Sequence, residues 1–257
     1  METVQVAQKG AVVTVQLNRP EVKNAFNEVL IKELTETFRN LPANARVVVL
    51  EGAGDAFCAG ADVNWMKQSK GYTEEENARD ARAMAGMYRA LDECPKPVIG
   101  KIRGFALGGG SGLVACCDIP LAADGTVFGF TEVRLGIVPA NISTFVLPKI
   151  GIAAARRYFL TGERFGTRQA HEIGLIAEAV PADQLDARVD AFVAELLKCG
   201  PNAVSIAKKL IPEVSSRARD AAIEYTIATI AKTRVSPEGQ EGLSAFLEKR
   251  KPKWTEP

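Results

Sequence analysis

Histidine is almost absent from this 257-residue sequence, and His171 is its only one. A metal site built from several histidines is therefore excluded, and a Ser-His-Asp mechanism would have to use this single residue. His171 lies in RQAHEIGL, which has helical spacing. We interpret it as a partly exposed residue of a helix with no catalytic role.

Cysteine is present, but its spacing is typical neither of a disulfide framework nor of a metal site. The five cysteines are an odd number, two of them are adjacent, and no CxxC spacing occurs. A disulfide framework and a zinc site are thus not expected, and a reducing compartment fits best. The first segment, METVQVAQKGAVVTVQL, lacks the basic region and long apolar run of a signal peptide. We expect a cytoplasmic protein with no metal.

The sequence also lacks an excess of positive or negative charge, and it lacks long apolar runs. The formal net charge is +1, so neither nucleic acid nor a membrane surface is expected as a partner. No apolar run reaches the length that spans a bilayer. The length suffices for one large domain with or without an appendage.

The first 180 residues alternate between strand-like and helix-like patterns. Residues 12–19 alternate with period two, and Asn27 then resembles a helix N-cap. Apolar runs at 46–52 and 96–104 predict strands that are buried on both faces. After Pro139 the pattern becomes almost entirely helical. The predicted fold class is α/β, with a core over residues 1–200 and a helical region over residues 201–257.

Two glycine-rich loops each follow a predicted buried strand. GAGDAF (52–57) and GGGSGL (108–113) lack the third glycine of a dinucleotide fingerprint, and neither ends in the Gly-Lys-Ser/Thr of a P-loop. Each loop instead brings a peptide N–H to the start of a helix, near Ala61 and near Gly109. Two converging N–H groups form an oxyanion hole, which stabilises charge that develops on a carbonyl oxygen. The alternative is that the glycines serve only tight packing of helix on strand.

Four motifs in order are similar to the crotonase superfamily, the enoyl-CoA hydratases and isomerases. They are NRPEVKNAFN, DAFCAGADVNWM, GFALGGGSGLVACCDI and FGFTEVRLGIVP. The resemblance covers nearly the whole chain. It implies a crotonase-like spiral of ββα turns, an acyl-CoA substrate, and a homotrimer or homohexamer assembled through residues 201–257. It also implies that the N–H groups of Ala61 and Gly109 form the oxyanion hole for a thioester enolate.

The resemblance also points to one catalytic carboxyl group. Hydratases with two carboxylates carry the first at the position of Gly112, where this chain has none, and the second at the position of Glu132. Glu132 is therefore predicted as the acid/base, against the alternative of a surface glutamate paired with Arg134. A lone glutamate here suits both a hydratase and a Δ3,Δ2-enoyl-CoA isomerase. Replacing Gly112 by glutamate is expected to raise activity on simple enoyl-CoAs.

The segments around the glycine-rich and Glu132 motifs resemble particular branches of the crotonase superfamily. SGLVACCDI, EVRLGIVPANISTFVLPKIG and ARRYFLTGERF are similar to the methylglutaconyl-CoA hydratases of leucine catabolism and to the related isohexenylglutaconyl enzymes of terpene degradation. Such a substrate has a second carboxylate, for which Asn141 and Ser143 are candidates, with helix capping as the alternative. Trp65 and Phe130 are candidates for the wall of the acyl pocket, although such residues more often belong to a core.

Contacts to coenzyme A, which is part of the substrate and not a bound cofactor, are also implied. Phe246 and Lys249 match a family helix that reaches the nucleotide of a neighbouring subunit, and Lys23 is a weaker diphosphate candidate. Asp62 is predicted to cap a helix, and Cys58 to be a buried filler. The backbone predicted to line the substrate path comprises Ala25, Ala59, Gly60, Asp62, Val63, Gly110 and Gly112.

The leading hypothesis is thus an enoyl-CoA hydratase, a carbon-oxygen lyase. The isomerase that uses the same three residues is the second. An inactive relative that binds a partner such as RNA is disfavoured by the near-neutral charge. A nucleotide-binding protein would require the glycine loops to hold a phosphate.

Overall fold

The computed structural model describes residues 1–255 and has a mixed α/β fold. Two compact units are present. The first contains Met1–Cys94 and Val98–Val189, and the second contains Pro95–Pro97 and the residues from Asp190 onward. The predicted boundary at residue 200 lies inside the second unit. Within residues 1–255, no helix combines the length and apolarity needed to cross a membrane.

A six-stranded sheet with the order β1-β2-β3-β4-β6-β9 forms the larger layer of the first unit. β1 pairs antiparallel with β2, and the other neighbours are parallel. The apolar run VVVL of β3 is buried, as its lack of alternation predicts. The strands are Val4–Lys9 (β1), Val12–Leu17 (β2), Val47–Gly52 (β3), Val98–Ile102 (β4), Ile119–Ala123 (β6) and Glu178–Val180 (β9).

A second, three-stranded sheet has the order β5-β7-β8, with bounds Phe105–Leu107, Val127–Gly129 and Arg164–Gly166. From β4 to β7, successive strands alternate between the two sheets. β4 of the large sheet leads to β5 of the small one and then to a helix, and β6 leads to β7 and then to a helix. This repeated ββα turn places the ends of several strands beside the starts of helices, where the candidate site lies.

The helices that begin in the first unit include α1, whose N-cap the sequence predicts, and α7, which ends in the second unit. Asn27 caps α1, where its side chain accepts from the Leu30 N–H at 3.0 Å. His171 lies exposed in α6, as predicted. The bounds are Glu28–Arg39 (α1), Val63–Ser69 (α2), Glu74–Asp92 (α3), Gly109–Cys116 (α4), Ala140–Thr161 (α5), Thr167–Glu172 (α6) and Leu185–Lys198 (α7). Two 3-10 helices span Pro20–Val22 and Glu132–Leu135.

The second unit is helical. It contains α8 (Pro201–Ser215), α9 (Arg219–Arg234) and α10 (Pro237–Leu247), followed by a 3-10 turn at Lys253–Thr255. Ser236 caps α10 by accepting from the Gly239 N–H at 3.0 Å, and Pro237 occupies the first turn.

The prediction of nearly continuous helix after Pro139 is wrong in two places. β8 and β9 interrupt it, and each has only three residues, too few to show an alternating pattern. Their positions depend on pairing with β7 and β6, which the local sequence does not encode. The α5 region is also broken at Gly151, whose φ is 71°.

Candidate active site

The two glycine-rich loops run side by side. The Phe57 N–H donates to Arg103 O at 2.9 Å, the Cys58 N–H to Phe105 O at 2.9 Å, and the Leu107 N–H to Cys58 O at 3.1 Å. An ideal Cβ at Gly60 would lie 2.8 Å from Leu107 O and 3.7 Å from Gly109 N, and the φ of Gly60 is +94°. Only glycine fits this close approach. The loop that carries Ala61 is therefore held against the loop that carries Gly109.

The Ala61 peptide is held from both sides by one residue. The Phe26 N–H donates to Gly60 O at 2.8 Å, and the Asp62 N–H donates to Phe26 O at 3.0 Å. The Ala61 N–H takes part in neither bond and points away from Phe26, and within residues 1–255 it donates to no acceptor. A half-buried N–H without an acceptor is uncommon and is available to a ligand.

Gly109 is the first residue of α4, so its N–H has no acceptor within the helix. The position cannot carry a side chain, because an ideal Cβ would overlap the Phe26 ring and lie 2.6 Å from the Tyr88 hydroxyl oxygen. The positive end of the helix dipole adds to the attraction that this N–H offers a negatively charged oxygen. Ala61 and Gly109 thus supply two N–H donors from adjoining loops, the arrangement an oxyanion hole requires.

Glu132 begins the 3-10 helix that follows β7, and its carboxyl group lies against the second loop. An ideal Cβ at Gly108 would be 3.3 Å from Glu132 Oε1. The other oxygen, Oε2, is buried and has no hydrogen-bond partner in the described chain. Burial raises the pKa of Glu132, and the residue's own N–H offsets this only in part. An unpaired carboxyl with a raised pKa is poised to accept and return a proton.

The surface ion pair between Glu132 and Arg134, which was the alternative to a catalytic role, does not form. Glu132 is half-buried and Arg134 is exposed, and within residues 1–255 the Glu132 carboxylate takes part in no salt bridge. The alternative interpretation of Glu132 as a solvated or paired surface residue is therefore wrong.

The position of Gly112 is filled by apolar side chains. An ideal Cβ there would overlap Ile142 Cγ2 and lie 3.1 Å from Tyr88 Cε1. No space for a glutamate side chain is left beside it. The structure therefore does not support the expectation that Gly112→Glu would raise activity, because the added side chain would collide with Ile142.

Asp62 has a different environment from Glu132. Its Oδ1 accepts from the Asn64 N–H at 2.7 Å at the start of α2, and its Oδ2 lies 2.8 Å from Arg19 Nη2. Burial would raise the pKa of Asp62, but the hydrogen bonds from Asn64 and Arg19 and the Arg19 charge lower it overall. The predicted helix cap is confirmed. Protein groups occupy both oxygens, so only the backbone of Asp62 is left to contact a substrate.

Comparison with known proteins agrees with this geometry. The profile of the family described as enoyl-CoA hydratase/isomerase matches residues 7–257. The chain belongs to the enoyl-CoA hydratase/isomerase family. It is 32% identical to a crotonyl-CoA hydratase from Syntrophomonas wolfei over 91% of each chain.

Solved structures of the family share the fold. An enoyl-CoA hydratase from Shewanella pealeana superimposes with a TM-score of 0.94 at 38% identity and covers 98% of this chain and 96% of its own. Pseudomonas aeruginosa AtuE superimposes with a TM-score of 0.95 at 33% identity, over 99% of this chain and all of its own. The crotonase fold expected from the motifs is thereby confirmed. Membership in the family implies an acyl-CoA substrate.

Other predicted contacts differ in how accessible they are. Phe130 is fully buried and packs on Phe159 and Phe165, with ring centroids 5.0 and 5.9 Å apart. It therefore belongs to the aromatic core, and its predicted place on an accessible acyl wall is wrong. Trp65 is also buried, and its Nε1 has no partner in the described chain.

Asn141 and Ser143 lie in the first turn of α5. The Ser143 hydroxyl donates to Ala140 O at 2.7 Å within the helix. No side chain caps the start of α5, whose N-cap position is Pro139, so the capping alternative is wrong for both residues. The half-buried Asn141 directs its Nδ2 to the sulfur of Met84 at 3.4 Å. Sulfur is a weak acceptor, so Asn141 keeps hydrogen-bonding capacity for a ligand.

The residues predicted to contact coenzyme A have mixed environments. Lys23 is exposed, lies 3.2 Å from Asp55 Oδ2, and sits 5.4 Å above the Phe105 ring. Ala25 is buried, and the Ala59 N–H donates to Lys23 O at 2.9 Å. Val63 is 65% exposed.

Gly110 is packed tightly, since an ideal Cβ there would overlap Cys58 O. Cys58 is fully buried as predicted, and burial raises its pKa to about 12, so its thiol is not a nucleophile at neutral pH. Phe246 and Lys249 are both exposed and lie in the second unit, where Phe246 belongs to α10.

Three residues that shape the site were not predicted from the sequence: Phe26, Tyr88 and Ile142. Each is apolar or aromatic and lies far along the chain from the α4 glycine that it contacts. Their hydrophobic spacing predicts burial but does not indicate what they pack against. Only the fold shows that all three contact the α4 glycines.

Proposed function

We propose that the protein is an enoyl-CoA hydratase that adds water across the 2,3 double bond of an enoyl-CoA thioester. The observation that carries the proposal is the juxtaposition of Glu132 with the Gly108–Gly109 turn. An unpaired carboxyl group there adjoins one of two N–H donors that have no acceptor in the described chain. Polarisation of a thioester and transfer of a proton need these groups.

In the proposed mechanism, the thioester carbonyl oxygen accepts hydrogen bonds from the Ala61 and Gly109 N–H groups. The Glu132 carboxylate takes a proton from water as the hydroxide adds to C3, and the electrons of the double bond move into an enolate. The protonated Glu132 then gives the proton to C2. One water is added in all, and the raised pKa of Glu132 suits both proton transfers.

One observation favours the isomerase as a second candidate. Ile142 and Tyr88 fill the space where a second carboxylate would help to hold water. In an isomerase, Glu132 would remove a proton from C2 of a 3-enoyl thioester and deliver it to C4, with no water consumed. The same two N–H donors would stabilise the intermediate enolate.

Within the hydratase proposal, 3-methylglutaconyl-CoA is the proposed substrate. The Asn141 amide supports it, since its only hydrogen-bond partner within residues 1–255 is the Met84 sulfur. A second carboxylate on the acyl group would be a much stronger partner for this amide.

The mass of the product tests the proposal. The protein is mixed with 2-enoyl-CoA and 3-enoyl-CoA thioesters, including 3-methylglutaconyl-CoA, in water enriched in oxygen-18. The hydratase predicts one labelled water added, fastest with 3-methylglutaconyl-CoA. An unchanged mass with a displaced double bond would identify the isomerase, and no turnover of any thioester would contradict both.

We also propose that the enzyme is cytoplasmic, needs no bound cofactor and assembles as a trimer or hexamer in which Phe246 and Lys249 reach a neighbouring subunit's coenzyme A. Support for assembly comes from the second unit, where Phe246 is 82% and Leu247 78% exposed. Large exposed apolar side chains at one helix end are typical of subunit contacts. Light scattering in solution should give a mass of three or six chains, and a monomer would contradict this.

A further inference from the structure

We propose that Phe26 and Tyr88 are positioning residues that together fix the separation of the two oxyanion-hole donors. The inference rests on the proposed function, because it concerns the same site. Neither side chain presents a group to the substrate in this proposal. Each acts through the peptide that it holds.

Phe26 touches both halves of the oxyanion hole. Its backbone N–H and C=O bond to Gly60 and Asp62, the two neighbours of Ala61, at 2.8 and 3.0 Å. Its ring lies in the space that a side chain at Gly109 would occupy, with Cζ and Cε2 against that glycine. The backbone of one residue therefore holds the first donor, and its side chain contacts the residue that carries the second.

Tyr88 holds Gly109 from another direction. Its hydroxyl donates to Gly109 O at 2.9 Å, and its Cε1 lies against Gly112 one turn further along α4. The ring packs at 5.6 Å from the Phe145 ring, between centroids. Tyr88 is completely buried, so water does not compete for this hydrogen bond, and burial keeps its pKa well above the usual tyrosine value. The hydroxyl is thus protonated at neutral pH and donates this hydrogen bond.

These contacts matter because the benefit of an oxyanion hole depends on geometry. Donors stabilise the developing charge only when they are fixed at hydrogen-bond distance from the oxygen in its transition-state position. A displacement of about 1 Å costs on the order of 100-fold in rate. Phe26 and Tyr88 are buried in a close-packed interior, where such displacements are resisted.

Two substitutions separate this role from general stability. Tyr88→Phe removes one hydroxyl and keeps the ring, with Tyr158→Phe as control, because Tyr158 is also buried but packs on Phe165 away from the glycines. Phe26→Leu removes the ring from Gly109, with Phe38→Leu as control, because Phe38 is equally buried in α1.

The decisive readout is the absorption of bound dimethylaminocinnamoyl-CoA, a thioester whose spectrum moves to the red when its carbonyl is polarised. For wild type, a red shift on binding is expected, and its absence would contradict the proposed oxyanion hole itself. In Tyr88→Phe and Phe26→Leu, a smaller red shift is expected. We expect kcat to fall about tenfold in Tyr88→Phe and up to about 100-fold in Phe26→Leu, with little change in KM in either variant.

The positioning role is overturned if wild type shows the red shift and both variants keep it in full. It is equally overturned if the control variants lose the shift and kcat to the same extent, because the effect would then follow from stability alone. Thermal unfolding of all four variants, measured in parallel, identifies any that fails to fold. If Phe26→Leu fails to fold, the red shift and kcat of Tyr88→Phe, which is the smaller change, decide whether the positioning role holds.

Discussion

Two carboxyl groups, at the start of α2 and at the end of β7, have opposite environments. Asp62 is 4% exposed, caps a helix and pairs with Arg19, and these partners lower its pKa. Glu132 is half-buried with one oxygen unpartnered, and burial raises its pKa. Both oxygens of Asp62 accept hydrogen bonds from protein groups, whereas Oε2 of Glu132 accepts none from the described chain. Environments that push two pKa values apart indicate which group is structural and which transfers protons.

The largest expected effect comes from Glu132→Gln, which removes the proton acceptor and keeps the shape. Because no second carboxylate adjoins Gly112, we expect kcat on the preferred thioester to fall about 10³-fold. Turnover of the purified variant measures this. Asp62→Asn is the control and should keep turnover within about tenfold, since asparagine still caps a helix. Equal losses in both variants would remove the distinction between the two groups.

Asp62→Ala should cost stability rather than the proton-transfer step. It removes the cap of α2 and leaves the mostly buried Arg19 guanidinium without its carboxylate partner and with only its hydrogen bond to Ala25 O, at a cost of about 3 kcal/mol in the free energy of unfolding. Denaturant titration measures this. Asp55→Ala is the matched control. Its salt bridge to Lys23 is exposed, so it should cost less than about 1 kcal/mol, and an equal cost in the two variants would contradict the structural role.

Gly112→Glu would place a third carboxyl group in the site. Because the new side chain overlaps Ile142, we expect a loss of about 2 kcal/mol in stability and no gain in hydration of crotonyl-CoA. Combining it with Ile142→Ala should restore part of the stability by making room. A rate with crotonyl-CoA above that of wild type would show that the space is larger than the structure indicates.

The smallest expected effect is on the free energy of unfolding, which the buried, unpaired Glu132 carboxylate lowers. Its pKa is raised on folding, so the native state binds its proton more tightly than the unfolded state does. The ionised group therefore destabilises the fold above its native pKa, and this cost disappears below the unfolded value of about 4.3. Glu132→Gln should raise the free energy of unfolding at neutral pH by about 1 kcal/mol, with the gain shrinking at acid pH. A loss of stability at neutral pH would argue for a partner of Glu132.

Much of this comparison could be predicted from the sequence. The strand-loop-helix order and the glycine run pointed to the regions of Ala61 and Gly109, whereas Glu132 followed only from the resemblance to the crotonase superfamily. The position of Asp62 before a helix predicted its cap. Phe130, Gly112 and the strands after Pro139 were harder to predict. Whether an aromatic ring lines a pocket or a core, and whether a glycine leaves a space, depends on residues distant in sequence, such as Phe159 and Ile142. Tyr88 carries no local signal that its hydroxyl holds Gly109.

The pH dependence of kcat/KM tests the central claim most directly, because it reports the pKa of the essential base in the free enzyme. The measurement is made on wild type and Asp62→Asn over the acid and neutral range. The opposite environments predict an acid limb at a pH above the usual glutamate pKa in both proteins, because Glu132 must be ionised to accept a proton and burial raises its pKa. An acid limb at or below the usual value, or one that moves when Asp62 is replaced, would contradict the assignment of Glu132 as the base.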